Sequence, residues 1–150
     1  EIFYQHPDVA LAALVGQPDA YAGELPVAYV QLKPGAQVTA ADLLAYLREH
    51  TPERAAVPVA LHFIDPMPLT AVGKIFKPTL RTDATRRVAE DLLRDLPASG
   101  EACAVAVVPD ATHGQMIRVT LSAADRAARQ RLEAGVHQRL DPLTIRHQVA

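Results

Sequence analysis

The feature that most constrains how this chain can fold is an order of elements that occurs twice. The first pass runs from an apolar stretch, VALAALVG at 9–16, through a PDAYAG turn into PVAYVQL at 26–32. A TAAD tetrapeptide, a helical pattern and a third apolar stretch, VALHFI at 59–64, complete it. The second pass reads CAVAVV at 103–108, PDATHG, the alternating QMIRVTL, SAAD, a helical pattern and the closing LTIRHQVA. Pro18-Asp19-Ala20 aligns with Pro109-Asp110-Ala111, and Thr39-Ala40-Ala41-Asp42 with Ser122-Ala123-Ala124-Asp125. Two readings stay open: structural repetition, or convergence, because PD turns and S/T-x-x-D caps recur for local reasons. The expected fold class is α+β (α/β). A small mixed sheet of about three strands flanked by helices is followed by a second β-β-α(-β) unit.

Local chemistry supports these assignments. VALAALVG lies between Pro7 and Gly16 and reads as a strand buried on both faces. Thr39 opens a helix, with Asp42 three residues on as a weaker form of the capping box. Ala40, Leu43, Leu44 and Leu47 then form one apolar stripe, and Thr51-Pro52 stops the helix. A long helix is expected from about Phe76 to Leu96, with Pro78 tolerated in its first turn. Leu80, Ala84, Val88, Leu92 and Leu96 lie four apart, on one side of it. LPASGEA reads as a linker, and Ser122 is expected to cap the last helix with Asp125 three on. The opening residues, Ile2, Phe3 and then His6-Pro7, read as the last turns of a helix stopped by proline. Glu1 begins in mid-pattern without Met, which suggests an excised piece of a longer protein.

The bulk numbers exclude several classes. The chain has 150 residues, enough for one good core or two small ones. Apolar residues make up 49% and charged residues 21%, an ordinary globular balance. A formal net charge of −2 gives no reason to expect nucleic acid or membrane attraction. No run reaches the roughly 18 apolar residues that a spanning helix needs. Cys103 is the single cysteine, so no disulfide forms within the chain, and a reducing, cytoplasmic setting is expected.

One segment stands apart from this Ala/Val/Leu-rich background. PLTAVGKIFKPTLR, at 68–81, holds two prolines, one glycine and three cations. Gly73 opens backbone angles closed to other residues, and Pro66 and Pro68 stiffen the approach. Lys74 is expected where a rigid loop meets a helix start, a location that favours anions. Its ammonium is a point charge suited to phosphate or carboxylate oxygen. Between residues 70 and 87, Lys74, Lys77, Arg81, Arg86 and Arg87 face one acid, Asp83, a local balance of about +4. The segment is not a P-loop, because no glycine lies five before Gly73 and Ile75 replaces Ser/Thr. Gly-Lys pairs are common and most exposed lysines are only solvated, so local physics leaves both readings open and favours the solvated one.

Other constellations are weaker. The six histidines form no H-x-x-x-H pair with a third ligand, so no metal site is expected. His62 alternates with apolar neighbours and reads as structural. Cys103 begins an apolar strand and reads as packing rather than nucleophile. Asp19, Asp65 and Asp110 are turn residues first.

With both motifs in view, a resemblance emerges. HPDVALAALVGQPDAYAGELPVAYVQL resembles the start of the small C-terminal domain of adenylate-forming acyl-CoA synthetases. FIDPMPLTAVGKIFKPTLR resembles that domain's later signature, carried here by Pro68, Thr70, Gly73, Lys74, Ile75, Lys77, Leu80 and Arg81. The likeness covers about residues 1 to 81. It implies residues 1–96 as a mobile lid domain, with the first hairpin and hinge missing. Residues 97–150 then form a β-β-α-β extension of unassigned role.

The resemblance also implies a reaction. A carboxylic acid, fatty-acid-like, attacks the α-phosphate of ATP to give acyl-adenylate and diphosphate. The thiol of coenzyme A then displaces AMP. Lys74 would be the catalytic lysine of the first step, orienting the carboxylate and holding charge at the α-phosphate, while Gly73 and Thr70 shape its loop. Rotation of the small domain then withdraws the lysine. ATP and coenzyme A enter as substrates, with Mg2+ accompanying ATP and not bound by this fragment. The partner is the protein's own N-terminal adenylation domain, and without it the fragment is expected to be inactive. The alternatives are an adenylation domain of the nonribosomal peptide synthetase type, whose lysine motif usually reads like N-G-K-V-D-R, and a non-catalytic interaction module.

Overall fold

The computed structural model describes all 150 residues. The N-terminal segment is a single 3-10 turn, Ile2–Gln5, rather than the end of an α-helix. It stops at His6, whose extended backbone (φ −81°, ψ 128°) is the conformation favoured before a proline. Next come β1 (Val9–Asp19), β2 (Gly23–Leu32), α1 (Ala40–His50) and β3 (Ala60–Phe63). α2 (Lys77–Leu93), β4 (Ala102–Asp110), β5 (Gly114–Ser122), α3 (Arg126–Leu140) and β6 (His147–Val149) complete the chain. This is an α+β fold of two small three-stranded sheets, ordered β1-β2-β3 and β4-β5-β6.

Packing divides the chain into two compact units. One comprises Glu1–Gln17 and Leu25–Arg81, the other Pro18–Glu24 and Thr82–Ala150. This division follows contacts and crosses α2, whereas the division at 96/97 follows the extent of the resembled domain. No helix is long and apolar enough to cross a membrane.

Both sheets close in the same way. β2 pairs with β3 in parallel, in register from Val27↔Ala60 to Val30↔Phe63. β5 pairs with β6 in parallel, from Ile117↔His147 to Val119↔Val149, after an antiparallel pairing with β4. In each unit the helix, α1 or α3, is the crossover that a parallel pair requires. The hairpin turns match as well. Asp19 Oδ2 accepts from the Ala22 N–H at 2.8 Å, and Asp110 Oδ2 from the His113 N–H at 3.1 Å. Gly23 and Gly114 follow at φ +80° and +81°, angles that L side chains rarely adopt.

The helix starts differ. Thr39 caps α1 with a complete capping box: its Oγ1 accepts from the Asp42 N–H at 3.1 Å, and Asp42 Oδ2 accepts from the Thr39 N–H at 3.3 Å. In the second pass the expected Ser122 cap is not used. Ser122 still belongs to β5, paired with Ala102, and Asp125 is itself the N-cap of α3, accepting from the Ala128 N–H at 2.8 Å. Aspartate is as good a cap as serine, so the later position wins once the strand holds the earlier one. Thr39→Ala should destabilise the first unit by about 1 kcal/mol, read as a lower denaturant midpoint.

Each unit has its own core. In the first, Phe3, Val9, Ala12, Ala28, Val30, Leu43, Leu47 and Leu61 cluster, and Ala40 and Leu44 pack against them. All four members of the α1 stripe therefore face this core. In the second, Ala89, Leu93, Ile117, Val119, Leu121, Leu132, Val136, Leu140 and Leu143 cluster. Here the row on α2 needs correction. Steps of four gain about 40° each on a helix of 3.6 residues per turn, so such a row leaves any single face. Leu80 and Ala84 are buried, but further along the helix burial moves to Ala89 and Leu93, one residue beyond Val88 and Leu92, which pack at the cluster's margin.

Candidate functional site

The Gly-Lys segment is a small β-hairpin inserted between β3 and α2, held at both ends. At its entry Met67 is buried, 3% exposed, and its N–H donates to Gln31 Oε1 of β2 at 2.7 Å. At its exit Leu80, in the first turns of α2, is fully buried. Between these anchors Leu69 and Ile75 form an isolated antiparallel bridge. The Phe76 N–H donates to the Pro68 carbonyl at 2.8 Å, and the Thr70 N–H to the Lys74 carbonyl at 2.7 Å.

Thr70 is the hub of the tip. Its carbonyl accepts from the Gly73 N–H at 2.9 Å, and its Oγ1 accepts from the Lys74 N–H at 3.1 Å. Gly73 has φ +82°, which lets a three-residue loop reverse the chain in the manner of a hairpin with a glycine bulge. A Cβ at Gly73 would touch nothing within 4 Å, so the constraint there is torsional rather than steric. Gly73→Val should therefore cost about 1–2 kcal/mol of tip stability, with Gly73→Asn distinctly milder. Amide hydrogen exchange at Lys74 and Phe76 would read the loosening.

These bonds fix the backbone of Lys74 and leave its side chain exposed. The ammonium forms no ion pair within the chain. Lys74 lies on the returning arm of the hairpin, three residues before α2 begins, and not at the helix start itself. Apolar side chains accompany it on the surface: Val72 is 82% exposed, Leu69 48% and Phe76 45%.

The cationic balance of this region is smaller than the sequence count. Arg86 bonds to both Asp83 and Glu90, and Arg87 bonds to Asp83. These pairs stand three or four residues apart, as helix geometry favours. Hydrogen bonds from Asp83, and then Glu90, raise the Arg86 pKa further above its usual value. The cations left on the first unit near the tip are Lys74, Lys77 and Arg81, all exposed.

The remaining candidates fall where packing puts them. His62 stands opposite Tyr29 in the β2–β3 register, with ring centroids 5.4 Å apart. Burial, then the nearby Glu101 carboxylate, pushes the Cys103 thiol up, the opposite of what a reactive thiolate needs. Asp19 and Asp110 bind the amides of their own turns. Sequence spacing did not anticipate one grouping, His137 with His147 and Asp141, which the closing of β6 beside α3 brings together.

Residues 1–74 match the family described as the AMP-binding enzyme C-terminal domain. A marinolic acid–CoA ligase of Pseudoalteromonas sp. (strain SANK 73390) is 38% identical over 138 residues, covering 92% of this chain and 21% of the ligase. An acetyl-coenzyme A synthetase of Pyrobaculum arsenaticum is 43% identical over 86 residues, 55% of this chain and 13% of that enzyme. Among solved structures, the amide bond synthetase McbA from Marinactinospora thermotolerans matches with a TM-score of 0.52 at 37% identity. That match covers 56% of this chain and 17% of the synthetase. The chain thus spans about a fifth or less of the length of these relatives. The likeness to the marinolic acid–CoA ligase extends well into the second unit, since 92% of the chain is covered.

Proposed function

Residues 1–74 belong to the AMP-binding enzyme C-terminal domain family, and on that premise we propose that the chain is the mobile C-terminal part of an ATP-dependent acyl-CoA synthetase. Residues 1–96 act as the lid, and residues 97–150 are an added β-β-α-β element. In this reading a carboxylic acid and ATP give acyl-adenylate and diphosphate on the protein's own N-terminal domain, and coenzyme A then takes the acyl group. Mg2+ arrives with ATP as part of the substrate. The chain by itself carries out neither step.

The observation that carries the reading is the presentation of Lys74. Backbone hydrogen bonds fix the Cα of this lysine, anchors at Met67 and Leu80 bracket its hairpin, and no carboxylate in the chain neutralises it. A charge held this way can be delivered to a developing negative charge without reorganising at the moment of reaction. Exposed Leu69, Val72 and Phe76 support insertion of the tip against another surface, because apolar side chains on one exposed turn gain from being covered. Thr70 and Gly73 shape the turn and do not touch substrate. A fatty-acid-like substrate is proposed from the resemblance, and the acyl pocket belongs to the N-terminal domain.

One specific observation favours keeping a second reading of the acceptor. An amide bond synthetase is 37% identical over the matched region, so an amine in place of coenzyme A is compatible with this lid. The test uses the whole protein with ATP and a panel of carboxylic acids, offered coenzyme A or an amine. Thioester formation with release of AMP and diphosphate supports the synthetase reading. Amide formation alone transfers the assignment to the second reading, and absence of diphosphate release with every acid overturns both.

A further inference from the structure

Away from the Gly-Lys tip, metal-ligating side chains converge at one place in the second unit. His137 Nδ1 lies 2.7 Å from His147 Nε2, and His147 Nε2 lies 3.5 Å from Asp141 Oδ1. One ligand atom from each of the three falls within 4.8 Å of the others. The fold sets all three backbones. His137 and Asp141 stand four residues apart at the C-terminal end of α3, which puts them on one face. His147 is fixed by its pairing with Ile117 in the β5–β6 ladder. Leu140 and Leu143, both buried, pin the turn between them.

Two imidazoles and a carboxylate form a zinc-class donor set. A tetrahedral ion with metal–nitrogen distances of about 2.0–2.1 Å holds its ligand atoms about 3.3 Å apart. The observed separations of 2.7 and 3.5 Å bracket that value. At 2.7 Å the two rings share one proton, and an ion entering between them replaces it. Glu133 Oε1 stands 3.9 Å from His137 Nε2, the ring nitrogen turned away from His147. That is the side on which an outer carboxylate orients a metal-bound histidine. An open depression of about 310 Å³, lined by Asp141, His147 and the intervening turn, gives an entry path and room for a water as fourth ligand.

We propose that His137, Asp141 and His147 form a binding site for a zinc-class divalent cation, which staples the three-residue strand β6 to the end of α3. No other residue in the chain is required, and the site is independent of the adenylation chemistry proposed for Lys74. The test titrates the 150-residue chain, stripped with chelator, with Zn2+ by calorimetry and with Co2+ by visible absorption. The expected result is saturable uptake of about one equivalent in the micromolar range, a four-coordinate Co2+ spectrum and a higher thermal midpoint with zinc. His137→Gln and Asp141→Asn should each weaken uptake by at least about 10-fold. Asp141 is exposed, so Asp141→Asn remains informative if the histidine variant folds poorly. Absence of saturable micromolar uptake overturns the proposal. So does uptake that neither variant changes, which would place the metal on other histidines.

Discussion

In the whole protein, Lys74→Ala should lower the rate of acyl-adenylate formation by about 10²–10³, the loss seen when one preorganised donor is removed from a site of developing charge. That factor corresponds to about 2.7–4 kcal/mol of transition-state stabilisation. The measurement is carboxylic-acid-dependent exchange of diphosphate into ATP. A second assay supplies ready-made acyl-adenylate and follows its conversion to thioester, which the substitution should leave nearly intact. This split separates a chemical role from a structural one. Lys74 is exposed and makes no ion pair, so its removal should shift folding stability by no more than about 0.5 kcal/mol. Lys74→Arg keeps the charge but replaces a compact ammonium with a planar fork, and should recover only part of the rate. Equal loss in both half-reactions, or a fall in thermal midpoint to match, would remove Lys74 from the chemistry.

What could be read from the sequence, and what could not, follows from how local each signal is. α1 was legible because its cap, stripe and stop are all written within Thr39 to Pro52 and agree with one another. The two β-β-α-β passes were legible because turn residues punctuate them at matching places, and both sheets close with a parallel pair. The start of α3 was not, because Ser122 and Asp125 are both competent caps, and only pairing with Ala102 decides that Ser122 stays in the strand. The Gly-Lys hairpin reads from sequence only as a stiff loop. Its single bridge, Leu69↔Ile75, is too short to give a period, and its form depends on backbone bonds around Thr70. The His137–His147 contact was hidden for a different reason. The two residues are brought together by the β5–β6 register, a non-local event that no spacing rule along the chain encodes.

The largest stability effect is expected from Leu132→Ala. Leu132 is fully buried on α3 and belongs to the cluster that includes Ile117, Val119, Val136 and Leu140. Alanine is at least as good a helix former as leucine, so the helix itself loses nothing. The cost is the lost transfer of three carbons and the cavity left behind, about 2–5 kcal/mol. For a small unit whose whole stability is of order 5–15 kcal/mol, that is a large fraction. The denaturant midpoint should fall with an unchanged slope, since the surface exposed on unfolding hardly changes. Gln130→Ala, at an exposed position on the same helix, should move it by no more than about 0.5 kcal/mol. If Leu132→Ala costs no more than Gln130→Ala, α3 is not docked on β5 in solution. The second unit would then lack the core assigned to it. A full loss with adenylation by the whole protein unchanged would instead assign residues 97–150 a role separate from the chemistry of Lys74.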